Sequence, residues 1–225
     1  MPHFDIVKNI DIKKTFRVAH VMGDFDIQLN HCTERFTGDL VMPDDWSIGA
    51  IVGGSGTGKS TIAKQLFRDQ IINGFEYTAN SVIDDMPCDA TVQEIEKTFY
   101  SVGFGSVPSW LKPYSVLSNG EKMRVDLARA MLERDFIVFD EFTSVVDRKA
   151  AQTACIAINR AIKRSGKKFV AVSCHYDIID WLEPDWVFDT NQMENFFQQT
   201  REHKKNSRSK DVRGMSGESL GVITI

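Results

Sequence analysis

The stretch IVGGSGTGKST, residues 51–61, decides the fold of this chain. It continues an apolar run, residues 48–52, and leads into residues with helical spacing, so a strand, a glycine-rich turn and a helix follow one another. The turn satisfies G-x-x-x-x-G-K-[ST], in which glycines let consecutive backbone N–H groups converge on phosphate oxygens. An ordinary glycine turn is the alternative, and the intact spacing makes it much the weaker interpretation.

The residues of this phosphate loop have separate predicted roles. Lys59 is expected to reach the β- and γ-phosphates of a nucleotide, and the Ser60 hydroxyl is expected to ligate Mg²⁺. The helix that follows the loop adds its positive end to the site. The predicted nucleotide-binding residues here are Gly53, Gly54, Ser55, Gly56, Thr57, Gly58, Lys59, Ser60 and Thr61.

A second apolar run, residues 136–139, ends in Asp140 and Glu141. Such a run is typical of a strand buried on both faces of a parallel sheet. Asp140 is predicted to hold Mg²⁺, directly or through water, and Glu141 to polarise the attacking water as a general base. A solvated acidic pair is the alternative, and the preceding glycine loop favours the catalytic interpretation.

Residues 117–121 read LSNGE and open a predicted helix over residues 121–134. Ser118 and Glu121, three residues apart, form a capping-box pattern. A helix N-terminus also attracts anions, because its N–H groups and its dipole are directed there. A cap and an anion site are therefore both open interpretations of this turn.

The ordered set GGSGTGKST, LSNGE, FIVFDE and SCH resembles the ATP-binding-cassette (ABC) ATPases, which close as dimers around ATP. The resemblance covers roughly residues 15–190. It implies that Ser118 and the backbone of Gly120 contact the γ-phosphate held by the other protomer. It also implies that Asp147 lies in a loop crossing the dimer interface, although a helix N-cap is an equally good interpretation. His175 is expected to hydrogen-bond the γ-phosphate and to orient Glu141.

The sequence departs from this family at two positions. The usual Mg²⁺-sensing glutamine belongs near residues 81–85, which offer aspartates instead, and Asp85 or Asp84 is the predicted replacement ligand. The aromatic side chain that stacks on adenine is predicted to be Phe25, in preference to Phe16 and Phe36.

The spacing from Lys59 to Ser118 is short for a transporter cassette. The pattern looks most like soluble ABC-type ATPases known mainly as a domain attached to a predicted acetyltransferase. No acetyltransferase domain is expected in this chain.

The alternation of segments predicts an α/β fold of the P-loop NTPase type, with a mainly parallel central sheet flanked by helices. An N-terminal β-rich part and a short helical subdomain are also expected. Strands are predicted over residues 16–27, 48–52, 81–83, 136–139, 169–172 and 186–188, and helices over residues 91–100, 121–134 and 148–164, with a further helix from 62 to about 71. The expected ATPase domain spans residues 1–200, with a helical insert at about 85–116, and residues 201–225 form a basic polar tail.

Composition narrows the class of protein further. The 225 residues carry a net charge of −4, the four cysteines show no metal-ligand spacing, and no run is apolar enough for a signal peptide or a membrane span. A cytoplasmic protein with reduced thiols is expected.

The predicted function is hydrolysis of ATP, with Mg²⁺, by a homodimer that closes through ATP. An alternative is a nucleic-acid clamp, because residues 201–213 are basic and the related DNA-handling ATPases favour Glu at position 121. That basic segment would also suit a protein partner. The ATP-binding subunit of a transporter is a less favoured interpretation.

Overall fold

The computed structural model describes residues 2–9, 13–26, 33–72 and 74–196. Its centre is a sheet with strands in the order β4-β5-β3-β6-β7. The strands are β3 (Ile48–Val52), β4 (Phe136–Phe139), β5 (Lys168–Ser173), β6 (Trp186–Asp189) and β7 (Glu194–Phe196). Strands β3 to β6 run parallel, and β7 pairs antiparallel with β6. The predicted α/β fold with a mainly parallel sheet is confirmed.

Strand β3 lies in the middle of the sheet, and all five of its residues are buried. Its last residue, Val52, is in register with Ser173 of β5 on one side and Asp189 of β6 on the other. The carboxyl ends of these three strands therefore meet at one edge of the sheet, where ligands bind in open α/β folds.

Helices cover both faces of the sheet, as the continuous apolar strands require. On one face, Ala50 and Val52 pack in a cluster with α5 (Asn119–Glu133) and α6 (Arg148–Ser165). On the other face, Ile51 packs with α2 (Lys59–Phe67). A short helix, α7 (Ile178–Leu182), follows β5. The predicted helices over residues 121–134 and 148–164 are confirmed within a few residues, and α2 ends earlier than expected, in a 3₁₀ turn at Arg68–Gln70.

The N-terminal part contains an antiparallel pair, β1 (His3–Asn9) and β2 (Thr33–Asp39). The strand predicted over residues 16–27 is wrong, because α1 (Phe16–Asp24) occupies that segment; Ile27 lies outside the described residues. The Thr15 hydroxyl caps this helix by accepting from the Val18 N–H at 3.3 Å, a stabilisation that the β-prone composition did not reveal.

The helical region comprises α3 (Val92–Ser101), α4 (Val107–Trp110) and a 3₁₀ turn, Tyr114–Val116. The predicted cap at Thr91 is confirmed as a capping box with Glu94. The strand predicted over residues 81–83 is wrong, because these residues form turns. The Asp85 carboxylate accepts from the backbone N–H groups of residues 78 and 79 there, which favours a turn over a strand.

The segment after α2 is fastened to α5 by what we call the tyrosine clamp, formed by Tyr77, Tyr114 and Asp126. Both phenol hydroxyls donate to the Asp126 carboxylate, at 2.8 and 2.9 Å, and the two rings stack with centroids 3.9 Å apart. Burial raises the pKa of the Asp126 carboxyl, while the two phenol donors favour its charged form.

The outer edge of β4 is occupied by the chain just after α2. Ile71 forms a parallel bridge with Val138, and the Ile72 N–H donates to the Val138 carbonyl at 2.9 Å. Among the described residues, no helix has both the length and the apolar composition needed to cross a membrane.

Candidate functional site

The phosphate loop leaves the end of β3 and leads directly into α2. Gly58 is the N-cap of α2 in the left-handed region, with φ +86°. A Cβ atom at this position would lie 2.6 Å from the Phe36 ring, so both the conformation and the space require glycine. The predicted order of strand, glycine-rich loop and helix is therefore confirmed, and the binding of phosphate by this loop stays a prediction.

Lys59 and Ser60 occupy the first turn of α2. The Lys59 ammonium group is largely buried and donates to the Gly54 carbonyl at 2.6 Å, across the loop. The Ser60 hydroxyl donates to the Asp140 carboxylate at 2.9 Å. A hydroxyl and a carboxylate oxygen this close are hard-oxygen ligands of the kind Mg²⁺ prefers, so the pair fits the metal. Within the described residues, no group of three acidic, histidine or cysteine side chains forms a metal site.

Glu141 projects from the turn after β4 with a left-handed φ of +54°. Nearby Thr143 also has a positive φ, +65°, and its buried hydroxyl has no hydrogen-bond partner in the described structure. Backbone strain of this kind is concentrated at functional sites. The Glu141 carboxylate accepts from the Ser144 hydroxyl at 2.7 Å and lines the same cleft as Lys59 and Ser60.

This cleft has a volume of about 160 Å³. Besides the phosphate loop and Glu141, it is lined by Lys8 of β1 and by Glu34 and Phe36 of β2. Lys8 was not foreseen from the sequence, because a lone lysine in a short N-terminal strand gives no signal. Its positive charge lies in the cleft wall together with the negative charge of Glu34, its register partner on β2.

His175 follows β5, the strand between β4 and β3, as expected for this histidine. It is half-buried, and its Nδ1 lies 3.8 Å from the Cys174 sulfur. The side chains of His175 and Glu141 make no hydrogen bond with each other in the described structure. The orienting role of His175 therefore stays a prediction.

Ser118 is the N-cap of α5, and the capping box with Glu121 is confirmed. The Ser118 backbone N–H donates to the Glu121 carboxylate at 2.9 Å, and this bond holds the pKa of Glu121 below its usual range. Ser118 and Asn119 are exposed, and neither lines the cleft formed by the phosphate loop. The N-terminus of α5 is therefore accessible to a group other than one bound in this cleft.

Asp147 is the N-cap of α6 and accepts from the Ala150 N–H at 2.9 Å. The capping interpretation is confirmed. Its predicted role in a loop crossing a dimer interface stays a prediction, since one chain is described.

Asp85 and Phe25, two further predicted site residues, also do not line the cleft. Asp85 uses its carboxylate to fix the turn at residues 78–79, which leaves its oxygens engaged with backbone donors. Phe25 lies at the end of α1 and is 72% exposed, whereas Phe36, the alternative that sequence reasoning set aside, lies in the cleft wall. The positions of these phenylalanines in the sequence did not show which of them contacts the phosphate loop. The basic segment, residues 201–213, lies outside the described residues.

Sequence reasoning also missed the residues that follow β6 and contact the phosphate loop. Thr190, just after β6, donates its N–H to the Val52 carbonyl at 2.8 Å, and its hydroxyl lies 2.5 Å from that of Thr57. In the sequence, Asp-Thr-Asn after an apolar run signals only a turn.

Comparisons with known proteins point to one class. No protein-family model matches the sequence. The mitochondrial iron–sulfur clusters transporter ABCB7 of Homo sapiens is 29% identical over 163 residues, which cover 54% of this chain and 22% of the relative. The energy-coupling factor transporter ATP-binding protein EcfA1 of Listeria monocytogenes is 28% identical over 185 residues, covering 64% of this chain and 65% of the relative. The chain thus spans about a fifth of the first relative and less than two thirds of the second.

Solved structures share the fold at low identity. A dimeric bacterial ABC transporter cassette matches with a TM-score of 0.57 and 14% identity, covering 74% of this chain and 93% of that one. The same cassette bound to ADP and phosphate after hydrolysis gives a TM-score of 0.58, also at 14% identity and with the same coverage. The structure of cbiO1 from Clostridium perfringens, part of an ABC transporter complex, gives 0.56 at 18% identity over 79% of this chain and 87% of its own.

These comparisons define the class of fold: the chain has the P-loop NTPase fold of ATP-binding cassettes. The particular proteins it is similar to are transporter cassettes and ATP-binding subunits of transporters.

Proposed function

We propose that this chain binds MgATP and hydrolyses it to ADP and phosphate as a cytoplasmic homodimer with two composite sites. The observation that carries this proposal is that residues predicted to form one half of a nucleotide site line a single cleft. Lys59, Ser60 and Glu141 line it, and Asp140 hydrogen-bonds to Ser60 beside them. The other half, the capped N-terminus of α5, is exposed and lies outside that cleft. Two copies closing face to face would bring each α5 end to the partner's nucleotide.

The residues of the cleft divide the chemistry among them. The loop N–H groups and Lys59 neutralise the phosphates, so the Lys59 bond to the Gly54 carbonyl is exchanged for one to phosphate when ATP binds. Mg²⁺, when held by Ser60 and Asp140, supplies further charge neutralisation. Glu141 accepts a proton from the water whose oxygen attacks the γ-phosphorus, and the bond to the β–γ bridging oxygen breaks. In this proposal His175, which follows β5, contacts the γ-phosphate.

The test is Glu141→Gln, which keeps the shape of the side chain and removes the base. We expect ATP binding to persist, turnover to fall by about 100-fold or more, and an ATP-dependent dimer to accumulate in light scattering. Exposed Glu96 on α3 supplies the matched control, because Glu96→Gln should leave turnover and mass unchanged. A Glu141→Gln variant that stays monomeric with MgATP would contradict the composite site.

The partner of this ATPase is a second question. We favour a soluble, non-transporter ATPase, of the kind found joined to acetyltransferase domains, because the region between Lys59 and Ser118 is compact and residues 74–86 contain no glutamine. The curated relatives favour a transporter subunit instead. Capture with the Glu141→Gln variant decides: a co-purifying membrane permease supports the transporter function, and its absence from detergent extracts of the native host supports the soluble one.

A nucleic-acid clamp is tested separately. If the basic tail binds nucleic acid, affinity for duplex DNA or RNA falls steeply with salt and drops when residues 201–225 are removed. An affinity that changes neither with salt concentration nor on removal of residues 201–225 would contradict this function.

A further inference from the structure

A path of hydrogen bonds joins the loop that carries His175 to the start of the phosphate loop. The Tyr176 hydroxyl donates to the Asp189 carboxylate at 2.8 Å. The Asn191 amide nitrogen donates to the same phenol oxygen at 2.8 Å, and the Asn191 amide oxygen accepts from the Gly54 N–H at 3.1 Å. Four side-chain or backbone groups thus connect the loop after β5 with the phosphate loop, which lines the cleft.

Strand order explains why this path exists. Strand β3 lies between β5 and β6, and the phosphate loop begins at its end. Tyr176 follows β5 and reaches a residue at the end of β6, so its side chain spans the end of β3. Burial, together with the hydrogen bond to Asp189, raises the pKa of the Tyr176 phenol, which therefore remains protonated as a donor.

The far end of the path is firmly anchored. Asp189 is buried, and its second carboxylate oxygen accepts from the Asn191 N–H at 2.8 Å. Next to it, the Thr190 hydroxyl donates to the Val52 carbonyl at 3.1 Å. A Cβ atom on Gly53 would come within 2.1 Å of that hydroxyl, so Thr190 fills the space that the glycine leaves. The Asn191 amide is therefore presented to Gly54 from a fixed base.

We propose that Tyr176 and Asn191 are positioning residues that couple the His175 loop to the phosphate loop. Asn191 holds the Gly54 N–H, which sets the direction in which the following N–H groups of the loop point. Tyr176 accepts a hydrogen bond from Asn191 and, as the residue after His175, also restrains the position of His175 through the backbone. A displacement at either end is thus transmitted to the other, and ATP affinity and turnover depend on side chains that touch neither the phosphates nor the water. This inference rests on the proposed ATPase function.

The test uses Tyr176→Phe, Asn191→Ala and the double variant, with MgATP affinity measured by titration and turnover by phosphate release. Each single variant should weaken MgATP binding about 3- to 10-fold, the range expected for one hydrogen bond. Tyr176→Phe should also lower kcat, because it releases the His175 loop. The double variant should bind about as weakly as Asn191→Ala alone, since both changes interrupt the same path.

Tyr100→Phe is the matched control, because Tyr100 is a similarly exposed tyrosine on α3, away from the cleft. It should match the wild type in affinity and turnover. Thermal unfolding without nucleotide measures the stability that each variant loses, and affinity and turnover are compared well below the unfolding temperature of the least stable variant, which separates positioning from a general loss of stability. Effects of the two single variants that simply add, or a Tyr176→Phe variant equal to the wild type, would overturn the inference. A wild-type protein that neither binds nor hydrolyses ATP would overturn the proposed function, and the inference with it.

Discussion

At the scale of the residue, the site depends on glycine positions at which an added Cβ atom would clash with a neighbour or strain the backbone. Gly58 combines a left-handed backbone with the Phe36 ring directly behind it. Gly56 has a similar φ, +82°, but open space around it. A substitution at Gly56 would therefore cost only backbone strain, whereas one at Gly58 would cost backbone strain and a clash with Phe36.

Alanine substitutions should reveal this difference. We expect Gly58→Ala to abolish measurable MgATP binding, because the new methyl group displaces Phe36 and the N-terminus of α2. Gly56→Ala should weaken binding less, since only backbone strain of about 1 kcal/mol is added. Gly23→Ala, in a helix with nothing near the new methyl group, is the control. Equal losses for Gly58→Ala and Gly56→Ala in nucleotide titrations would contradict the role given to Phe36.

At the scale of the element, α5 connects the tyrosine clamp near its middle with the exposed end that carries Ser118. The clamp attaches the helix to the chain after α2, and the capping box with Glu121 fixes its first turn. The position of the proposed phosphate contact therefore depends on side chains at two places along one helix.

Removing one phenol from the clamp leaves an Asp126 oxygen without its donor. Tyr77→Phe and Tyr114→Phe should each lower the free energy of unfolding by about 1–3 kcal/mol. Urea unfolding measures this, with Tyr100→Phe expected to stay within about 0.5 kcal/mol of the wild type. If both clamp variants are as stable as that control, the clamp does not hold the segment to α5.

The capping box gives a pH dependence with a definite sign. Because the folded-state pKa of Glu121 lies below its usual value of 4.5, its contribution is present above that pH and is lost as pH falls through the folded pKa. Glu121→Gln should therefore lower stability by about 1 kcal/mol at neutral pH, and the difference should vanish in strong acid. Unfolding curves from pH 3 to 7 test this, and a pH-independent difference would contradict it.

At the scale of the whole molecule, the sheet brings the ends of β4, β5, β3 and β6 to one edge, so residues far apart in sequence form one site. Such a site binds ligand only in the folded state. ATP at 100 times its Kd should stabilise the protein by about 2.7 kcal/mol.

This stabilisation should depend on the metal. Chelation of Mg²⁺ with EDTA should reduce the rise in Tm that ATP produces, because Ser60 and Asp140 then contribute no metal contact. Ser60→Ala should show the smaller rise even with Mg²⁺ present. A rise that is identical with and without Mg²⁺ would contradict the metal role of this pair.

The sequence predicted the parts of the fold whose signal is local. Four strands of the parallel sheet are continuous apolar runs, and the glycine loop and the caps at Thr91 and Ser118 have fixed spacing. The parts it missed depend on contacts across the sheet. Asn191 reaches Gly54 only because β6 lies beside β3, and Phe36 meets Gly58 only because the β1–β2 pair lies against α2. The error at α1 has a different, local cause, because the cap at Thr15 outweighed the β-prone composition of that segment.

The pairing of Ile71 and Ile72 with β4 has a consequence for solubility and assembly. A four-residue apolar strand at the side of a sheet is a template on which other chains can add and aggregate. Here the Val138 backbone already has a partner from its own chain, which covers the middle of this edge against the addition of another strand. The ATP-dependent dimer proposed above would use a different surface, the one that carries the nucleotide cleft, so its formation and its dissociation would both follow the chemistry of the ligand.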